Sequence, residues 1–246
     1  MDMRDLPLRD ITPEVIASAR DALRRDGLSQ RTVDHYMAVL RAILRAAQGW
    51  GWLDAVPKVP MFNPKRPDPR WLTRPQFLEL VKHLPPHTAD MARFAVATGL
   101  RRSNITGLTW DRVDLKRRTA YVQGSQAKAK KGIPIPLNSD AIAVLKRWKG
   151  RHEKYVFVFR GKKVYQVATK AWRKACKDAG QPGLHFHHLR HTWASWQVQA
   201  ETPLSIVQAL GGWETPAMVQ VYAHLSPGHL AAYASATTLV KRKAKK

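Results

Sequence analysis

Apolar positions along the first fifty residues follow a helical period. Val33, Tyr36, Met37, Leu40, Ile43 and Leu44 recur at three- and four-residue steps, so residues 30–47 are predicted as a helix capped by Ser29. A shorter helix is predicted over 13–26, with Thr12 as its cap, Pro13 in the first helical position and Gly27 as its stop. The pattern then lapses: residues 49–70 hold five prolines (Pro57, Pro60, Pro64, Pro67, Pro69) among charges. Residues 57–70 therefore read as a linker between a helical domain at 1–56 and a second domain at 71–246.

In the second domain Thr73 caps a helix that runs to about His83, and helices follow at 87–98 and 101–108. The period then switches to two. Residues 119–124 and 132–137 alternate as two strands of a hairpin, joined by a segment with three lysines. Further helices are predicted at 139–149, 165–179, 187–200, 203–210, 215–223 and 227–240, with a short strand at 155–159. The expected fold class is mainly α with a small antiparallel β-sheet, an α+β arrangement.

Charge sharpens this picture. The 246 residues carry 42 Lys and Arg against 18 Asp and Glu, a formal net charge of +24. Residues 1–66 contribute 11 against 8, and residues 67–246 contribute 31 against 10. A surplus of that size in one part of the chain calls for an anionic partner, and nucleic acid is the usual one. A solvated basic surface with no specific site is the plainer alternative. The single cysteine, Cys176, excludes an internal disulfide and a cysteine-built zinc site. No run of 18 apolar residues exists, and the charged N-terminus lacks the apolar stretch of a secretory signal. These features point to a cytoplasmic, nucleoid-associated protein.

Four segments of the second domain hold side chains suited to a phosphodiester: Arg101 at a helix start, Lys128 on the hairpin, His187 and Arg190 opening a helix, and Trp213 followed by Tyr222. Each alone has a bland reading, as a solvated helix start, an exposed turn, a capped end or a packed tyrosine. His187 and His191 are four apart and share a helix face, yet no third metal ligand is evident.

In this order and spacing the four segments resemble the tyrosine recombinase, or phage integrase, family. The shared features are Thr-Gly-Leu-Arg at 98–101, a hairpin lysine seven residues before Ile135, His-His-Leu-Arg at 187–190, Gly212-Trp213, and Tyr222 nine residues after Trp213. The resemblance covers nearly all of 71–240. It implies a recombinase catalytic domain preceded by a SAM-like, partial core-binding domain. It also implies strand cleavage and rejoining through a 3′-phosphotyrosyl bond to Tyr222, without metal or cofactor. Arg101 and Arg190 would bind the non-bridging oxygens. A histidine at the start of the 187 helix would take the phenol proton, and Lys128 would protonate the departing 5′-oxygen. Trp213 stands where the family more often has histidine, and its indole N–H can donate but not exchange a proton. Lys130 and Lys131 neighbour Lys128 and compete for its assignment; with Arg31 on the second helix they are further candidates for DNA contact.

Three departures accompany the resemblance. Asn104 occupies a position where the family usually has a carboxylate. His191 reads as a packing residue on the Arg190 helix. Only two helices precede the linker, where the family's core-binding domain has four or more, so the DNA clamp reads as incomplete. The implied partners are duplex DNA, three further copies in a synaptic tetramer, with the last helix docking on a neighbour, and accessory DNA-bending proteins. Two other readings stand beside the recombinase: a non-catalytic, DNA-binding integrase remnant, and a type IB topoisomerase-like enzyme that relaxes supercoils without a specific site.

Overall fold

The computed structural model describes residues 6–65, 67–122 and 132–225. Two compact units divide between Pro67 and Asp68.

The first unit is a helical pair. Helix α1 (Pro13–Arg25) starts where the Thr12 side chain accepts the Val15 N–H, and α2 (Gln30–Gly49) starts where Ser29 accepts the Thr32 N–H. The inward stripe of α2, Val33, Met37 and Leu44, is buried against Ile11 and Ile16. The first half of the proline-rich segment does not behave as a free linker. Val56, Val59, Met61 and Phe62 pack onto this small core. The Asp34 carboxylate accepts the backbone N–H groups of Phe62 and Asn63, at 2.8 and 2.9 Å. A proline-rich segment leaves few backbone donors, and one carboxylate suffices to pin two of them.

The second unit opens with α3 (Arg74–His83), closed at its start by a reciprocal bond pair between Thr73 and Gln76. Helices α4 (Pro86–Thr98) and α5 (Arg102–Thr106) follow. A three-stranded antiparallel sheet comes next, β1 (Val113–Asp114), β2 (Thr119–Val122) and β3 (Ile133–Pro136), in the order β1-β2-β3 with Ala120 opposite Ile135. Ala120, Val122 and Ile135 turn one face inward, as the alternation predicts. Then come α6 (Ser139–Trp148), the short pair β4 (Val158–Phe159) and β5 (Lys162–Lys163), α7 (Lys170–Asp178), α8 (His188–Gln199), α9 (Leu204–Gly211) and α10 (Ala217–Gln220).

Helix α8 runs through the middle of this unit. Leu189, Arg190, Thr192, Trp193, Ala194, Ser195 and Val198 are all buried along it. Thr192 and Trp196 tie its middle to the Leu72 backbone, accepting the Leu72 N–H at 3.0 Å and donating to its carbonyl at 2.8 Å.

Three elements differ from their sequence expectation. The helix expected at 165–179 begins only at Lys170, because the Thr169 side chain accepts the Trp172 N–H and caps it there. The strand expected at 155–159 pairs only at Val158 and Phe159, and Tyr155 instead bridges to Thr109. The helix expected at 215–223 is one turn of α-helix followed by a 3-10 turn, Ala223–Leu225. The helix expected at 227–240 lies outside the described residues. Among the described residues no helix is long and apolar enough to cross a membrane.

Candidate active site

The site is built around Arg190, in the first turn of α8 and only 3% exposed. Its Nη1 donates to the Gly99 carbonyl and its Nη2 to the Gly211 carbonyl, both at 2.7 Å. Among the described residues these two carbonyls engage two of the five guanidinium N–H groups, which leaves three to meet a ligand. The Trp213 ring lies against the guanidinium, with Cζ 3.9 Å from the ring centroid. Burial, and secondarily the like charge of Arg101, lower the Arg190 pKa to about 10, which leaves it charged at neutral pH.

Both accepting carbonyls belong to glycines whose identity is forced by close packing. Gly99 ends α4 with φ +67°, a left-handed conformation, and a Cβ there would sit 2.4 Å from the Trp193 indole. A Cβ on Gly211 would sit 2.0 Å from the Trp213 ring. Beyond the Gly99 turn, Arg101 occupies the position just before α5, and its Nη2 donates to the Gly212 carbonyl at 3.4 Å. The two arginines thus converge on the same glycine pair at the end of α9.

Tyr222 sits in the turn after α10 and is only 2% exposed. Its hydroxyl is hydrogen-bonded to Nδ1 of His191. Burial raises the Tyr222 pKa to about 12, against the opposing pull of Arg190. Burial also drops His191 to about 4, helped by His187, His188 and Arg190. At neutral pH the imidazole is therefore uncharged, and the phenol keeps its proton. The His187 ring meets His191 edge-on, with centroids 5.0 Å apart. Its pKa is lowered by desolvation, then by Arg190, Arg101 and Arg102. His188, lowered to about 4 chiefly by burial, accepts the His185 N–H at 3.1 Å.

Of the residues singled out from the sequence, Arg101, His187, Arg190, Trp213 and Tyr222 gather here. Lys128, Lys130 and Lys131 lie outside the described residues. Arg31 is exposed at the start of α2 in the first unit. Asn104 donates its backbone N–H to the Arg101 carbonyl at 2.9 Å in the opening turn of α5. Sequence reasoning placed a histidine of the 187 helix on the phenol and read His191 as packing; the residue at the hydroxyl is His191. Trp193 and Gly211 are not singled out by the sequence, and Gly99 enters only as part of the Thr-Gly-Leu-Arg motif. No local signal points His191 at a tyrosine 31 residues away.

The sequence profile of the Phage integrase family matches residues 70–229. The chain belongs to the phage integrase family. Within that family it is 39% identical over 213 residues to the integrase of Salmonella phage P22, a match covering 81% of this chain and 55% of that protein. It is 30% identical over 237 residues to the tyrosine recombinase XerC of Xanthomonas axonopodis pv. citri, covering 90% of this chain and 77% of XerC. The chain thus spans little more than half the length of the phage P22 relative, and 57% of the prophage integrase IntR of Escherichia coli. In fold, this family member is similar to a Tn1549 transposon integrase solved with circular intermediate DNA (TM-score 0.78, 17% identity, 92% of this chain and 86% of that one). It is also similar to a lambda integrase dimer bound to a COC′ core site (TM-score 0.71, 21% identity, 87% and 83%).

Proposed function

We propose that this integrase-family chain is a site-specific DNA recombinase that cuts and rejoins strands through a phosphotyrosyl bond at Tyr222. The observation that carries the reading is the Tyr222 hydroxyl held on a neutral His191 Nδ1 beside the buried Arg190 guanidinium. A phenol, a proton acceptor and a fixed cation are the three parts an in-line attack on a phosphodiester requires.

In this reading Tyr222 Oη attacks phosphorus. Its proton passes to His191 Nδ1, and the 5′-oxygen leaves with a proton from Lys128. The three uncommitted N–H groups of Arg190, together with Arg101, hold the non-bridging oxygens as negative charge builds on them. His187, one helical turn before His191, offers a second donor at the phosphate. The Trp213 indole N–H is a further donor. No metal or cofactor has a role. Because Tyr222 is 2% exposed, attack requires the segment from Ala217 to Leu225 to shift on the docked duplex.

The partner is double-stranded DNA, met in four protomers on two duplexes, with bending proteins assisting and the reaction taking place in a bacterial cytoplasm. Arg31 in the helical N-terminal domain, and Lys130 and Lys131 beside Lys128, add backbone contacts. Incubation with a nicked suicide duplex, followed by denaturing electrophoresis, tests the reading. A covalent protein–DNA adduct is expected from wild type and none from Tyr222→Phe. Equal trapping by the two, or none by wild type, would leave a non-catalytic DNA-binding protein. Relaxation of any supercoiled plasmid, whatever its sequence, would favour the topoisomerase-like alternative.

A further inference from the structure

Beside the catalytic arginine lies a tryptophan that no step above uses. Trp193 is one helical turn beyond Arg190 on α8 and is 5% exposed. Its indole stacks on Trp213, with ring centroids 5.9 Å apart and planes inclined by 24°. The same indole presses on Gly99, where a Cβ would have only 2.4 Å.

These two contacts reach two of the three fixings of Arg190. Gly99 supplies the carbonyl that takes Nη1, and Trp213 supplies the ring against Cζ. Both come from segments remote from Arg190 in the chain, 91 residues away in the case of Gly99. Helix α8 alone sets the Arg190 Cα, but a side chain with four rotatable bonds takes its final direction from what surrounds its end.

We propose that Trp193 is a positioning residue for catalysis: by wedging the Gly99 turn and backing the Trp213 ring, it sets the angle at which Arg190 meets the scissile phosphate. This rests on the recombinase reading. The column runs from Gly99 through Trp193 and Trp213 to the guanidinium, and each member limits the freedom of the next. A residue of equal volume without a flat aromatic face would fill the core but leave Trp213 free to tilt, and Arg190 with it.

The test compares single-turnover cleavage of a suicide duplex by wild type, Trp193→Met, Trp193→Phe and Arg190→Ala. Each is run at saturating DNA on a phosphodiester and on a methylphosphonate at the scissile position. The methylphosphonate lacks one non-bridging oxygen charge, so arginine contributes less to its cleavage and defects that act through Arg190 shrink. Trp193→Met is expected to cleave the phosphodiester about tenfold more slowly with unchanged DNA affinity, and to approach wild type on the methylphosphonate, in parallel with Arg190→Ala. Trp193→Phe, which keeps an aromatic face, is expected to show a smaller deficit with the same dependence on linkage.

A deficit equal on both linkages marks Trp193 as scaffold only and overturns the proposal; so does a Trp193→Met enzyme as fast as wild type. If Trp193→Met shows no cooperative melting, Trp193→Phe decides by the same criterion. Wild type that traps nothing removes the recombinase reading, and this inference with it.

Discussion

The hydroxyl of Tyr222 and Nδ1 of His191 are hydrogen-bonded across 31 residues of sequence, with the phenol pushed up to about 12 and the imidazole down to about 4. At neutral pH the imidazole is uncharged and the phenol protonated, and in the tautomer that carries its proton on Nε2 the imidazole Nδ1 accepts the phenol O–H. Full transfer is unfavourable in the free protein, and in the proposed reaction His191 takes the proton only as Tyr222 attacks phosphorus.

His191→Ala is therefore expected to slow cleavage by about 10²-fold, with Tyr222 still able to form the adduct. The pH profile gives the sharper reading. With an acceptor at about 4, wild-type cleavage is level from about pH 6 to 9 with respect to this residue, because the imidazole is already neutral throughout. Without it, the proton must go to solvent, and the rate of His191→Ala is expected to climb with pH. Parallel profiles for the two enzymes would remove His191 from the proton path.

Stability should fall on the acid side of neutrality. The folded pKa values of His188 and His191, both about 4, lie below the ordinary histidine value. Between about pH 6.5 and 4 the unfolded chain takes up protons that the folded chain does not, so acid favours unfolding. The loss begins as pH drops through the unfolded value and levels off below the folded one. Thermal melts at a series of pH values check this, and His188→Gln is expected to flatten the slope. A melting temperature constant from pH 7 to 4.5 contradicts the assignment.

Gly211→Ala places a methyl group 2.0 Å from the Trp213 ring. The ring has to move, and it backs the Arg190 guanidinium at 3.9 Å. The variant is expected to lose about 1–3 kcal/mol of stability and to cleave at least about tenfold more slowly. Calorimetry and the suicide-duplex assay read the two effects separately. Wild-type values for both would mean that the Trp213 position carries no such demand.

Away from the site, Asp90 joins α4 to α6. Its carboxylate, 13% exposed, accepts Nη2 of Arg147 at 2.7 Å and the Trp148 indole N–H at 3.0 Å. Asp90→Ala leaves the buried indole N–H without its partner and is expected to cost about 1–3 kcal/mol. Its effect on cleavage per folded molecule should be small, and a denaturant titration with active-site counting checks both.

The helices were legible where caps and periodicity agree. Thr12, Ser29 and Thr73 each begin the helix that their side chain caps. Boundaries were less legible where two choices are locally similar: residues 165–169 have helical spacing, but the Thr169 cap removes them from α7. The strand read over 155–159 shortened because pairing depends on partners at Lys162 and Lys163, which an alternation pattern does not name. The early part of the proline-rich segment looked like a spacer, and only its packing on Ile16 and Val33, with Asp34 holding two of its N–H groups, makes it part of the first unit.

For the site, the sequence by itself determined which chemical groups are present and in what order: two arginines, histidines on one helix, a tryptophan and a tyrosine. Those follow from residue type and spacing alone. Tertiary structure decided which histidine meets the phenol, which carbonyls orient Arg190, and why positions 99 and 211 have no side chain. Those contacts join residues 21 to 91 positions apart or depend on ångström-scale clearance between a glycine and an indole. Burial then sets the proton affinities. Tyr222 reads from the sequence as an ordinary phenol, and it becomes one pushed up to about 12, paired with a neutral imidazole, only because α8, α9 and α10 close around it.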